Sequence, residues 1–141
     1  MAFLRFLTLG FGAGAFGGLI LWLAALGLAR IGVPAMLGLA APLPDMYAAL
    51  AGAIVWGGAW GLLFAAPVMN RAAWLKGIVI GLLATAALVF HFAPGLRAGP
   101  PLGIAYVAVL NALIWGIAGS VWWALVSGPR KNGRRFGTFM R

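Results

Sequence analysis

The residues able to do chemistry are few. They are His91, Asp45, Asn111, Lys76, Ser127 and the threonines Thr8 and Thr85. One acid in the whole chain leaves paired-carboxylate catalysis without its second member and Mg²⁺ or Ca²⁺ without a ligand set. No Cys is present, which removes disulfides, thiolate metal sites, iron–sulfur clusters and thiol catalysis. No zinc set exists either. Ser127 falls on the opposite side of the membrane from His91 and Asp45 once the spans below are drawn, so these three do not make a triad. His91 could act as an axial ligand to a haem or chlorophyll, although one His cannot give bis-His ligation within a single chain. The plainer reading is an interfacial His favoured by a helix C-terminus, or one paired with Asp45. The expectation is a protein that is not an enzyme.

Asn111 is the most polar side chain deep in an apolar run, about 12 Å from its end at 1.5 Å per residue. It shares a helical stripe with Trp115 and Trp122. A buried amide in lipid needs partners, so an interhelical hydrogen bond is expected, with a substrate- or pore-lining role as the alternative. Thr8 and Thr85 are expected to bond back to their own helices. Trp56 and Trp115 lie near the bilayer centre, where their indole N–H groups need acceptors. Trp60 extends the aromatic face of Trp56. Core packing is the preferred reading of these rings, and contact with a bound cofactor or quinone is the alternative.

The elements that position these groups follow from composition. The chain has 141 residues, 65% of them hydrophobic and only 8% charged. Soluble domains carry about 25% charged residues, so this chain cannot make a water-facing surface of the usual kind. It reads as an integral membrane protein. A bilayer-crossing helix needs about 20 apolar residues, and four runs are long enough, over 6–29, 46–66, 72–93 and 103–127. Pro42, Pro44 and Asp45 precede the second run, with Asp45 placed to N-cap it. Pro67, Pro94-Gly95 and Ser127-Gly128-Pro129 close the second, third and fourth. The first run resembles a signal peptide in following Arg5, but it exceeds the 7–15 residues of a typical signal core and is expected to be retained. The expected fold class is all-α, a four-helix transmembrane domain over 1–128 with a basic tail over 129–141.

Arg5, Arg71, Lys76, Arg130, Lys131, Arg134, Arg135 and Arg141 share one side of these spans, against Arg30 and Arg97 on the other. That bias places both termini in the cytoplasm of a bacterial inner membrane. Lys76, inside the third span, is expected to snorkel to the cytoplasmic surface. The apolar outer segment 30–45 reads equally as a surface loop or a re-entrant piece.

A shift of 59 positions lays the second span on the fourth and pairs Tyr47 with Tyr106, Ala53 with Ala112, Trp56 with Trp115, Gly57 with Gly116 and Arg71 with Arg130. A shift of 71 relates Leu4-Arg5 to Leu75-Lys76 and Gly10 to Gly81. Two hairpins duplicated in tandem are therefore expected, parallel and related by an axis along the membrane normal. Small-xxx-small spacing, which lets helix backbones approach in lipid, marks Gly10, Gly14 and Gly18, then Gly57 and Gly61, Gly77 and Gly81, and Ala112, Gly116 and Ser120. Packing within the chain is the preferred use of these stripes, and a face for a partner subunit, lipid or pigment is the alternative. Trp74, Trp122 and Trp123 are expected as cytoplasmic interface anchors. The tail places five cations around Phe136 and Phe139, a composition that attracts anionic lipid and makes nucleic acid an unneeded explanation.

Three stretches carry a family resemblance: Ile54-Val55-Trp56-Gly57 with Leu62-Leu63-Phe64-Ala65, then Trp74-Leu75-Lys76-Gly77, then Ala108 to Gly116. Over about residues 47–125 they resemble the small four-helix bacterial inner-membrane proteins of the YagU-like kind. The resemblance implies a four-span fold of unsettled function and supplies no catalytic residues. In that kind of protein a His often stands at the place of Asn111.

Together these readings lead to an expected function as a non-catalytic accessory subunit of a larger bacterial membrane complex, respiratory or photosynthetic, binding neighbouring helices and anionic lipid. The alternative is a small homo-oligomeric transporter or channel in which Asn111, Trp56 and Trp115 line a path. No cofactor is assigned; lipid, quinone or a tetrapyrrole at the surface stays open, with His91 as the candidate contact.

Overall fold

The computed structural model describes residues 2–39, 46–69, 72–92 and 101–127. It is all-helical, with no strand among the described residues. Helix α1 (Ala2–Arg30) is the first span, and a short α2 (Val33–Met36) follows it through Gly32, whose φ of 81° lies in the left-handed region that glycine tolerates. Helix α3 (Met46–Gly61) tightens into a 3-10 turn over Leu62–Ala65. Helix α4 (Ala73–Ala87) widens into a π turn over Leu88–Phe92. Helices α5 (Pro101–Val109) and α6 (Gly116–Ser127) are joined by a π turn over Leu110–Trp115 into one long span.

Four of these segments are long and apolar enough to cross a membrane: Leu4–Arg30, Tyr47–Ala65, Ala73–His91 and Pro101–Ser127. Their ends agree with the apolar runs to within a few residues. The chain is a multi-pass membrane protein by this criterion. Asp45, Pro42, Pro44, Pro94, Gly95, Arg71, Arg97 and the tail with Arg130, Lys131, Arg134, Arg135 and Arg141 lie outside the described residues.

The first span is the hub. It packs along α3 on one side and along α6 and the second π turn on the other, while α4 packs along α6 and that same turn. The spans therefore succeed one another in the order second, first, fourth, third. The second and third pack together chiefly where the 3-10 turn meets α4.

Lipid offers no hydrophobic drive for helix association, so contact area and backbone proximity decide the packing. At the crossing of α1 and α3, a Cβ on Gly14 would lie 2.5 Å from Gly61 Cα, and one on Gly57 would lie 2.6 Å from Gly14 O. At the crossing of α4 and α6, a Cβ on Gly116 would lie 2.6 Å from the carbonyl carbon of Gly77. Neither crossing has room for a side chain. Gly10 meets Gly61 and Leu62, Gly18 meets Ala53, and Gly81 meets Asn111 and Ala112, all through backbone.

The core closes where the 3-10 turn delivers Phe64 into the bundle. Phe64 is fully buried, with its ring 5.9 Å from that of Trp115 and 6.3 Å from that of Trp123, beside Ala13 and Ile80. Trp123 therefore differs from the expected interface anchor. It is buried in the core, because the α6 face it occupies is the one turned toward Phe64 and Phe6. Trp74 is exposed, and Trp122 is partly covered by stacking on Phe16 at 4.7 Å.

Candidate functional site

The polar groups of the transmembrane region converge on the third and fourth spans. Lys76, Thr85, Asn111 and Ser120 are the buried polar side chains among the described residues, and each reaches another helix or its own backbone.

Lys76 stands at the start of the third span, one turn into α4. Its ammonium does not snorkel to the surface as the sequence suggests; only 5% of the residue is exposed. Nζ donates to Phe64 O at 2.8 Å and to Ala66 O at 2.5 Å. The physical reason lies in the preceding turn. The last carbonyls of a helix have no intrahelical partner, and the chain bends away at Ala66, which is extended, ahead of Pro67. The Lys76 cation satisfies those carbonyls and sits at the negative end of the second helix. The same bond fixes the turn that buries Phe64.

About 13 Å along α4, nine residues at 1.5 Å each, Thr85 Oγ1 donates to Gly81 O at 3.0 Å and accepts from Asn111 Nδ2 at 3.1 Å. Asn111 belongs to the π turn Leu110–Trp115. A π turn carries one more residue than an α turn, and here it sets the Asn111 backbone against Gly81 while turning its amide toward Thr85. One helical turn on, Trp115 is only 2% exposed and Nε1 donates to Gly14 O at 2.9 Å. Ser120 Oγ lies 2.8 Å from Ala73 O and 2.6 Å from Gly116 O, so it ties α6 to the first turn of α4. Thr8 bonds to Leu4 O at 2.7 Å on its own helix.

Trp56 and Trp115 sit in unlike surroundings. Trp56 is half-buried and meets Trp60 edge to face at 5.8 Å, whereas Trp115 lies inside the bundle between the first, second and fourth spans. His91 is exposed in the first π turn, on the far side of the third span from Lys76. The structure turns the Asn111 amide to the third span and the Trp115 indole to the first, and leaves His91 exposed. Among the described residues no group of three His, Cys, Asp or Glu side chains could hold a metal ion. Two functional features escape sequence reasoning. The Lys76 bridge depends on a 3-10 turn whose only signal is the nearby Pro67, and the Asn111 register depends on a π turn with no sequence signal.

No family model, curated protein or solved structure matches the chain.

Proposed function

We propose that this chain is a non-catalytic accessory subunit of a larger bacterial membrane complex, respiratory or photosynthetic, embedded in the inner membrane with both termini in the cytoplasm. The observation that carries this reading is the use of the polar groups: Lys76, Ser120 and Trp115 donate to backbone of other segments, and Thr85 accepts from Asn111 across two helices. A second feature supports it. On the second span Ala48, Gly52, Val55 and Ala59 are exposed at helical spacing, and a Cβ on Gly52 would meet nothing within 4 Å. A helix of another subunit could approach that face closely. The basic tail would add attraction to anionic lipid, and the resemblance of the three sequence stretches to the YagU-like kind accords with this reading.

A photo-reactive residue at Gly52 tests the reading in native membranes. Crosslinks to a different membrane protein support it, and crosslinks only to a second copy of the chain move the assignment to the homo-oligomeric transporter or channel. That second reading draws on Asn111, a buried polar side chain of the fourth span. Trp115, with its indole engaged by Gly14, speaks against a path lined by both residues.

We also read the two hairpins as a tandem duplication. What supports it is a correspondence of close approaches: Gly14 on Gly57 and Gly18 on Ala53 in the first hairpin, Gly77 on Gly116 and Gly81 on Ala112 in the second. These pairs keep the shift of 59 between the second and fourth spans and put the first-to-third shift at 63 rather than 71.

A further inference from the structure

The first span is longer than a bilayer core needs. Its helix of 29 residues runs about 43 Å at 1.5 Å per residue, against a hydrocarbon thickness of about 30 Å. With the exposed Arg5 and Arg30 at the two surfaces, its ends stand at headgroup level. At the Arg30 end the chain turns back instead of leaving. Gly32 reverses it, α2 packs against α1 with Pro34 buried, and Gly38 takes a second left-handed conformation at a φ of 70°. Leu39 then comes within 3.2 Å of the place of a Cβ on Gly103, in the first turn of the fourth span. Residues 31–39 thus bridge the first and fourth spans at this end of the bundle. Ile31 and Met36 are left 67% and 83% exposed, and Leu102, next to Gly103, 56%, so the exposed apolar surface of the spans continues onto the segment.

Two properties of the segment select what it faces. No side chain from 31 to 44 carries a charge or a hydrogen-bond donor. A protein interface has about one hydrogen bond per 100–200 Å², and these side chains donate none. The backbone is closed on itself: the N–H groups of Ile31, Gly32, Met36, Leu37, Gly38 and Leu39 all donate within the segment or to the last turn of α1, and Pro34 has no N–H to satisfy. Water would take such bonds from an aqueous loop, whereas a lipid surface demands that the chain make them itself. Irregular backbone facing lipid does not occur within the hydrocarbon region, which sets the depth at its boundary. We propose that residues 31–39 are an anchor in the lipid surface, with Arg30 among the headgroups and the Ile31 and Met36 side chains among the first acyl carbons. The flexible Met36 side chain suits a fluid neighbour. The anchor sets the depth of the first span, against which the second and fourth pack. The inference is the same for either orientation of the chain, and for a subunit or a transporter.

The chain has no Cys, so Met36→Cys gives the whole protein a single thiol. It is labelled with the environment-sensitive dye NBD in vesicles of phosphatidylethanolamine and phosphatidylglycerol. Ile31→Cys is the second position, should the first variant not fold, and Leu113→Cys, 47% exposed midway along the fourth span, is the deep reference. Three quenchers are compared: iodide in the water, a lipid with a nitroxide near the glycerol end of its acyl chain, and one with the nitroxide near the chain end. The expected result at residue 36 is blue-shifted emission, weak quenching by iodide, and stronger quenching by the shallow nitroxide than by the deep one, with the reverse order at residue 113. Emission as in water with strong iodide quenching overturns the proposal. Stronger quenching by the deep nitroxide also overturns it, because the segment is then re-entrant. Protection from all three quenchers overturns it as well, since protein, a second copy of the chain, then covers the segment.

Discussion

Trp115 Nε1 donates to Gly14 O at 2.9 Å, and the same indole nitrogen would lie 2.8 Å from a Cβ on Gly57. One ring of the fourth span thus sits at the point where the first and second spans touch, and three helices share a single contact. The absence of side chains at Gly14 and Gly57 lets the indole reach a backbone carbonyl that its own helix also uses.

Replacing Trp115 with Phe keeps an aromatic ring between Phe64 and the glycines and removes only the donor. The expected loss is about 1 kcal/mol for one neutral hydrogen bond plus a small packing change. Unfolding in mixed detergent micelles, with helix content followed by circular dichroism, measures it. A Trp115→Ala variant should lose about 3 kcal/mol or more, because a cavity opens beside Phe64 as well.

Gly14 and Gly12 make a paired test on one helix. Gly14→Ala drives a methyl group into the backbone at Gly57 and Gly61, where no flexible side chain can yield. Overpacking of this kind costs about 1–3 kcal/mol, and the variant should accumulate poorly in the membrane. Gly12→Ala meets nothing within 4 Å and should change stability by less than about 1 kcal/mol, in the stabilising direction if helix propensity prevails. Equal losses for the two variants would contradict the packing of α1 on α3.

Lys76→Met should destabilise the chain by about 2 kcal/mol, since Phe64 O and Ala66 O lose a charged donor and regain water only in part. Lys76→Arg should restore a fraction of this at most, because a planar guanidinium does not fit a site shaped for a compact ammonium. Limited proteolysis between the second and third spans reads the effect directly: the Met variant should be cut faster if Lys76 holds the turn.

How far the sequence reaches into this structure differs by level. The spans follow from hydropathy, because lipid demands about 20 apolar residues whatever their order, and all four were legible. Which face of each helix is buried is less accessible. The helices are apolar nearly all round, so no polar stripe tells core from lipid. That is why Trp123, which has an interface composition and position, turns out to lie against Phe64, and why Phe64 itself has no sequence signal as the centre of the core. Lys76 misleads for a related reason. A lone cation near a span end normally reaches water, and only the 3-10 turn before Pro67 provides carbonyls close enough to hold it. The pairing of Asn111 with Thr85 needs a π turn to set its register.

Met69 adopts a φ of 54°, the left-handed region, in the connection between the second and third spans. A residue with a Cβ pays about 1 kcal/mol or more for that geometry. Met69→Gly should therefore leave stability unchanged or raise it by up to about 1 kcal/mol, net of glycine's greater unfolded-state entropy. The same micellar unfolding measurement checks it, and a clear loss would mean that the Met69 side chain supports the turn held by Lys76.

The central claim is that this chain works as a subunit among other proteins. The most direct test extracts it gently from its native membrane through an affinity tag on the chain, then weighs the intact assembly by native mass spectrometry and records its absorption spectrum. The account predicts one copy or a few copies of the chain inside a larger assembly of different membrane subunits. A stable monomer with no copurifying protein, or an assembly of this chain alone, would contradict it.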